Sequence, residues 1–258
     1  MILTDTHSHI YLEEFEKDRD EVVLNSENIG VKYIFLPNID STSIDDMLKL
    51  AKKYPDKIFP MIGLHPGSVE EDYQKELETI YSYFDKEKFY AVGEIGLDYY
   101  WDTSFKKEQI LVFEKQLNFA IEKQLPAIIH VRNAFDDVIK ILQKSEYDNL
   151  TGILHCFTGN IEQAKILTNK GLKLGIGGIV TFKNAGLDKI VEQISIDDIV
   201  LETDSPYLAP VPKRGKRNES TYLRYIAKKV AEIKNISVEE LAKITTKNAE
   251  NIFKIKLQ

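Results

Sequence analysis

The sequence predicts a (β/α)8 TIM barrel, the α/β fold in which eight parallel strands alternate with helices. Three observations point to it. Short apolar, β-branched runs alternate with segments of helical period along the chain. Eight such runs fit within 258 residues, a normal length for this barrel. The polar residues able to do chemistry gather where the runs end, which in this fold is the catalytic mouth. A doubly wound open sheet is the alternative, but its Gly-rich dinucleotide fingerprint is missing.

The first run, residues 2–5, ends just before His7-Ser8-His9, and a weaker helical period follows over 13–28. The second strand, 33–37, leads into a helix over 43–54, and the third, 59–63, into one over 74–84. The fourth strand, 90–94, precedes the long amphipathic stretch 104–123. The fifth, sixth and seventh, at 127–130, 152–155 and 172–176, are followed by helices over 135–144, 161–169 and 187–194. The eighth, 199–202, is followed by a long loop and then two helices within 220–253. Ser237 is the N-cap of the second, with Glu240 completing a capping box.

Composition narrows the function. A hydrophobic fraction of 43% with 29% charged residues suits a soluble globular protein rather than a disordered or membrane chain. The single cysteine, Cys156, excludes an internal disulfide and a Cys-rich zinc module. No signal-peptide pattern opens the chain and no apolar run approaches a membrane span, so the expected location is cytoplasmic, with no membrane and no obligate protein partner. The net charge of −7 argues against a broad nucleic-acid-coating surface but leaves room for a local basic patch.

The chain has only five histidines, and each ends or follows an apolar run. His7 and His9 are two residues apart, so on an extended backbone both imidazoles point the same way. A lone His-x-His is more simply read as surface or core packing. Here, however, His65 follows the third strand, Glu94 ends the fourth, His130 the fifth, His155 the sixth and Asp204 the eighth, so barrel closure places all of them in one ring. Imidazole and carboxylate are ligands for zinc, manganese or similar ions in hydrolytic sites, and the histidine content disfavours a purely Mg²⁺ site. His7, His9, Glu94, His130, His155 and Asp204 are too many for one four-coordinate ion but suffice for two, about 3.5–4 Å apart. Glu94 is assigned the bridge, and Asp204 a metal ligand that also orients or deprotonates the attacking water. The competing readings are a Glu94–Arg132 pair and a helix N-cap at Asp204.

These residues lie in the motifs Asp5-Thr6-His7-Ser8-His9, Gly63-Leu64-His65-Pro66, Gly93-Glu94-Ile95-Gly96-Leu97-Asp98, His130-Val131-Arg132-Asn133-Ala134, His155-Cys156-Phe157-Thr158-Gly159 and Glu202-Thr203-Asp204-Ser205-Pro206-Tyr207-Leu208. Together they resemble the TatD family of metal-dependent deoxyribonucleases in the amidohydrolase-like superfamily, from Asp5 to about Phe253. Glu94 stands where phosphotriesterase-like relatives usually carry a carboxylated lysine. The resemblance implies one metal-dependent hydrolase domain over 1–258 with two divalent ions (Zn, Mn or Mg). It also implies hydrolysis of DNA phosphodiesters, as a 3′→5′ exonuclease on single strands.

Positive groups should grip the phosphate, and His65 and Arg132 are the candidates. His65 could equally be a loop cap beside Pro66, and Arg132 a salt-bridge partner. The run Lys213-Arg214-Gly215-Lys216-Arg217, in the loop after the eighth strand, offers further substrate contacts, Arg214 and Lys216 above all. Tyr99, Tyr100 and Trp101 are placed either to stack bases or to pack over the mouth. Glu202 is expected to support a ligand histidine from behind, and Cys156 to be a small buried residue. The rival enzyme reading is an amide or ester hydrolase of the same superfamily, such as a D-aminoacyl-tRNA deacylase. A non-catalytic metal-dependent module would have lost ligands, and none is missing.

Overall fold

A computed structural model describes residues 1–257. Eight strands follow one another: β1 (Leu3–Asp5), β2 (Val31–Leu36), β3 (Ile58–Pro60), β4 (Val92–Asp98), β5 (Ala127–Arg132), β6 (Gly152–Leu154), β7 (Leu172–Ile176) and β8 (Ile199–Leu201). They pair in parallel in chain order, as β1-β2-β3 and β4-β5-β6-β7-β8. Single bridges join the two arcs. Ile62 pairs with Val92 and Ser8 with Ser205, while the Thr6 N–H donates to the Leu201 carbonyl at 3.0 Å. The ring is thereby closed as a (β/α)8 barrel.

The helices outside it are α1 (Arg19–Asn28), α2 (Ile44–Lys53), α3 (Tyr73–Phe84), α4 (Lys106–Glu122), α5 (Phe135–Leu142), α6 (Ile161–Asn169), α7 (Leu187–Gln193), α8 (Leu223–Lys234) and α9 (Val238–Phe253). The weak period over 13–28 divides into a short 3-10 turn, Glu13–Phe15, and α1, because the chain bends to bury Phe15. The expected capping box at α9 is half formed. Ser237 Oγ accepts from the Glu240 N–H at 3.1 Å, with no reciprocal bond from the Glu240 side chain among the described residues. No helix of the described residues is long and apolar enough to cross a membrane.

Two features of the barrel position the site. The first is its filling. Alternate strand residues Phe35, Phe59, Met61, Ile128, Ile153 and Val200 form one buried cluster with Ile252, Phe253 and Leu257 from the end of the chain. Phe253 stacks on Phe35 with ring centroids 3.7 Å apart. The carboxyl-terminal helix thus plugs the lower end, and access is from the opposite mouth.

The second feature is β4. It does not end at Glu94 as expected but continues to Asp98, and its register with β5 shifts between Val92 and Ile95. At the shift the backbone turns to another partner, with Glu94 N–H donating to Asn38 O at 3.1 Å and Asn38 N–H to Gly93 O at 3.2 Å. A one-residue slip exchanges the two faces of a strand. Ala91 faces the interior cluster below the shift, and Glu94 and Asp98 face the mouth above it. Gly93 permits this close approach, since a Cβ there would stand 2.5 Å from Ile128 Cβ.

Candidate metal centre

Strand parity brings the site together. On β5, Ile128 lies in the interior cluster, and His130 and Arg132 follow at two-residue steps up the same face. Ile153 and His155 repeat the step on β6, and Val200, Glu202 and Asp204 on β8 and just beyond. His7 and His9 lie in the extended segment after β1, held by the bridge to Ser205.

The predicted ligands meet in two overlapping sets. In the first, His7 Nε2 is 3.1 Å from His9 Nε2, 3.3 Å from Glu94 Oε2 and 3.7 Å from Asp204 Oδ1. His9 Nε2 is 3.5 Å from Glu94 Oε2 and 3.6 Å from Asp204 Oδ1. Ligand atoms about 2.1 Å from a tetrahedral ion stand about 3.4 Å apart, so this spacing fits one divalent cation. In the second set, Glu94 Oε1 is 2.9 Å from His130 Nδ1 and 2.8 Å from His155 Nε2, and those two nitrogens are 3.3 Å apart. Each oxygen of Glu94 faces one set. Nitrogen atoms this close cannot all point lone pairs at each other without a proton or a cation among them, and the donor types are those of a transition-metal hydrolytic site.

The outer ring nitrogens of His9 and His130 have hydrogen-bond partners, whereas Nδ1 of His7 and of His155 is buried with none among the described residues. Tyr11 donates its hydroxyl proton to Pro37 O at 2.7 Å, so towards His9 Nδ1, 3.0 Å away, that oxygen accepts. His9 then carries its proton on Nδ1 and turns the Nε2 lone pair to the centre. Asp98 Oδ2 is 3.0 Å from His130 Nε2, and Glu202 Oε1 is 3.4 Å from His155 Nδ1. Glu202 was expected in this role. It fits because β7 carries Gly175 opposite, where a Cβ would lie 2.2 Å from Glu202 Oε2. Tyr11 and Asp98 were missed. The signal available for Tyr11 was its place two residues beyond His9, and for Asp98 its place in the Gly-Leu-Asp run closing the fourth-strand motif.

Electrostatics bind the cluster into one unit. Burial opposes charge on Glu94, yet His155, His7 and His65 outweigh it and hold its pKa well below the usual carboxylate range. Burial likewise opposes charge on His155, but Glu94 and Glu202 hold its pKa well above the ordinary histidine value. Burial lowers His7. Asp204 is lowered despite burial by its hydrogen bond to His9 and the charges of His155, His7 and His9. The carboxylates therefore demand positive charge, which protons on imidazoles or divalent ions can supply.

The competing readings of these residues fall away. Glu94 is surrounded by imidazoles, and Arg132 makes no ion pair among the described residues. Asp204 starts no helix. It adopts the left-handed conformation at φ 55°, with its N–H on His7 O at 2.9 Å. Cys156, expected to be buried, is partly buried, with φ 45°, and its N–H donates to Glu202 Oε1 at 2.6 Å.

His65 is both a cap and a site group. Its Nδ1 accepts from the Gly67 N–H at 2.9 Å while its Nε2 faces Glu94 Oε1 at 3.6 Å. Burial lowers its pKa to about 4, so near neutral pH the ring is neutral with its single proton on Nε2, which makes it a donor. Arg132 lays its guanidinium 3.6 Å above the Tyr100 ring. Tyr100 is 51% and Trp101 79% exposed, whereas Tyr99 packs inward and donates its hydroxyl to Asp137 at 3.0 Å.

In the basic loop, Arg214 lies exposed on the Phe182 ring at 3.8 Å and Lys216 is exposed. Arg217 is not available to a substrate. It is paired with Asp18 through two bonds, 2.9 and 2.6 Å, and covers Phe15.

A parallel barrel with buried histidines and carboxylates facing its mouth is the architecture of a metal-dependent hydrolase. The chain matches the family described as TatD related DNase over residues 4–254, and it belongs to that family. It is 40% identical to the metal-dependent hydrolase YabD of Bacillus subtilis, covering 98% of this chain and 100% of that protein. It is 32% identical to the 3'-5' ssDNA/RNA exonuclease TatD of Pectobacterium carotovorum, over 94% of this chain and 95% of that one. Among solved structures, the TatD homologue YJJV of Escherichia coli superposes with a TM-score of 0.92 at 26% identity, covering 98% of both chains.

Proposed function

We propose that the protein hydrolyses phosphodiester bonds of single-stranded DNA, removing nucleotides from the 3′ end. The observation that carries this reading is the pair of ligand sets sharing Glu94, with His65 Nε2 beside them and Arg132 two residues beyond His130 on β5. The name of the Pectobacterium relative supports the direction of attack and the unpaired substrate.

His7, His9 and Asp204 would hold one ion, His130 and His155 the second, and Glu94 both. Two divalent ions, when bound, would polarise the phosphate and lower the pKa of water. Asp204 orients the attacking water and accepts its proton, while the water oxygen bonds to phosphorus and the bond to the 3′ oxygen breaks. The His65 Nε2–H and the Arg132 fork donate to the phosphate's non-bridging oxygens. The departing 3′ oxygen takes a proton from solvent, so the shortened strand leaves with a 3′ hydroxyl and the other product is a nucleoside 5′-monophosphate. Arg214 and Lys216 contact phosphates further along the strand, and Tyr100 and Trp101 offer faces to its bases.

Incubation with Mg²⁺ or Mn²⁺ and oligonucleotides labelled at the 3′ or the 5′ end tests this. Release of the 3′ label as a mononucleotide, with a shrinking 5′-labelled ladder, is expected. Intact oligonucleotide together with release of amino acid from charged tRNA would replace the reading with the ester-hydrolase one.

A further inference from the structure

We infer that Asp98 is a positioning residue with two arms, one setting which nitrogen His130 presents to the metal centre and the other holding the Tyr100 platform beneath Arg132. The second arm rests on the phosphodiesterase reading; the first does not. Asp98 Oδ2 lies 3.0 Å from His130 Nε2, and Oδ1 accepts the Tyr100 N–H at 2.8 Å. A carboxylate only accepts, and both ring nitrogens face one, so the metal-free ring is suited to a proton on each; a cation at Nδ1 would displace the proton there, and Asp98 would keep the remaining one on Nε2. Nδ1 is the atom 2.9 Å from Glu94 Oε1 and 3.3 Å from His155 Nε2. His130 enters the centre through the opposite nitrogen from His7, His9 and His155, and Asp98 makes that entry possible.

The residue is built to hold still. It is 6% exposed, and buried Gln109 of α4 grips its backbone, accepting from Asp98 N–H at 3.0 Å and donating to Asp98 O at 3.1 Å. Asp98 also stands opposite Arg132 in the β4–β5 register, and the Tyr99 N–H donates to Arg132 O at 2.9 Å. Orientation of a ligand and placement of a guanidinium platform therefore pass through one side chain. The Tyr100 bond needs only an oxygen, which an amide also has; the bond to His130 needs an acceptor where an amide would present a donor.

The test uses Asp98→Asn, Asp98→Ala and Tyr100→Ala in the full chain. Mn²⁺ or Zn²⁺ titrations of metal-stripped protein are followed by calorimetry, His130 by ¹⁵N NMR, and a fluorescent single-stranded oligonucleotide by anisotropy. In Asp98→Asn the amide nitrogen faces Nε2, so the proton should move to Nδ1. One metal equivalent should weaken by about 10–100-fold, with oligonucleotide affinity in metal-loaded protein nearly kept. Asp98→Ala should weaken both metal and oligonucleotide binding, and Tyr100→Ala only the oligonucleotide. Wild-type metal affinity and an Nε2–H tautomer in Asp98→Asn would overturn the first arm. Unchanged oligonucleotide affinity in Asp98→Ala would overturn the second. A wild-type protein that binds no oligonucleotide would end both the second arm and the phosphodiesterase reading, while the metal titration still judges the first.

Discussion

Glu94 is the side chain on which both ligand sets depend, since one oxygen faces His7 and His9 and the other His130 and His155. Replacing Glu94 or Asp204 by Ala should abolish turnover, with losses of at least about 10²–10⁴-fold for the proposed base. The fold should persist, read as an unchanged circular-dichroism spectrum, because the interior cluster below the mouth involves neither residue. Near-normal hydrolysis in either variant would refute the roles assigned. Arg132→Ala should act differently, raising KM on oligonucleotides about tenfold, the usual cost of a charge-assisted hydrogen bond. Bound metal, measured by mass spectrometry, should not change. Equal metal loss would mean that Arg132 supports the centre rather than the substrate. The histidines and acids were legible in the sequence because strand ends and two-residue spacing already place them. Tyr11 and Asp98 were not. Each depends on a partner remote in the chain: Pro37 O fixes the direction of the Tyr11 hydroxyl, and Asp98 meets the ring nitrogen of His130 on the next strand.

At the scale of elements, the alternation of strand and helix was readable nearly throughout because its periods differ so plainly. What escaped was the length of β4 and the break before α1. Both depend on tertiary partners: Asn38 receives the shifted β4 backbone, and Arg217 covers Phe15. The Arg217–Asp18 pair ties the loop after β8 to the start of α1. The Arg217 hydrogen bonds hold the Asp18 pKa below its usual value of 3.8, so the pair stabilises the fold above that pH and its contribution is lost as pH falls through the lower, folded-state pKa. Asp18 is 38% exposed, so solvent screening keeps the pair within about 1 kcal/mol. Arg217→Ala should therefore lower Tm by about 2–4 °C at neutral pH. The gap to wild type should narrow as pH drops below 3.8. A gap that widened in acid would show that Asp18 is not the partner that matters.

For the molecule as a whole, the charge balance is at odds with its proposed substrate. A net charge of −7 repels a polyanion, and its field acts over about 10 Å at 0.1 M salt. Binding must then rely on cations at the mouth, where Arg214 and Lys216 are exposed and Arg132 lies over the Tyr100 ring. Exposed apolar groups gather there too, with Tyr100, Trp101, Tyr207, Leu208 and Val211 all beyond strand ends on that face. A strand with unpaired bases can meet both kinds of group, its phosphates the cations and its bases the rings. Each phosphate contact on a single strand contributes about −0.7 to the slope of log K against log salt. Removing Arg214 and Lys216 together should then flatten that slope by about 1.4 and weaken binding alike for every sequence tested. Arg217→Ala should leave the slope almost unchanged, because that guanidinium is already neutralised by Asp18. If the Arg217 variant instead flattened the slope as much as the Arg214 and Lys216 pair, the loop would have to release Asp18 on binding, and the mouth of the barrel would be remodelled by its substrate.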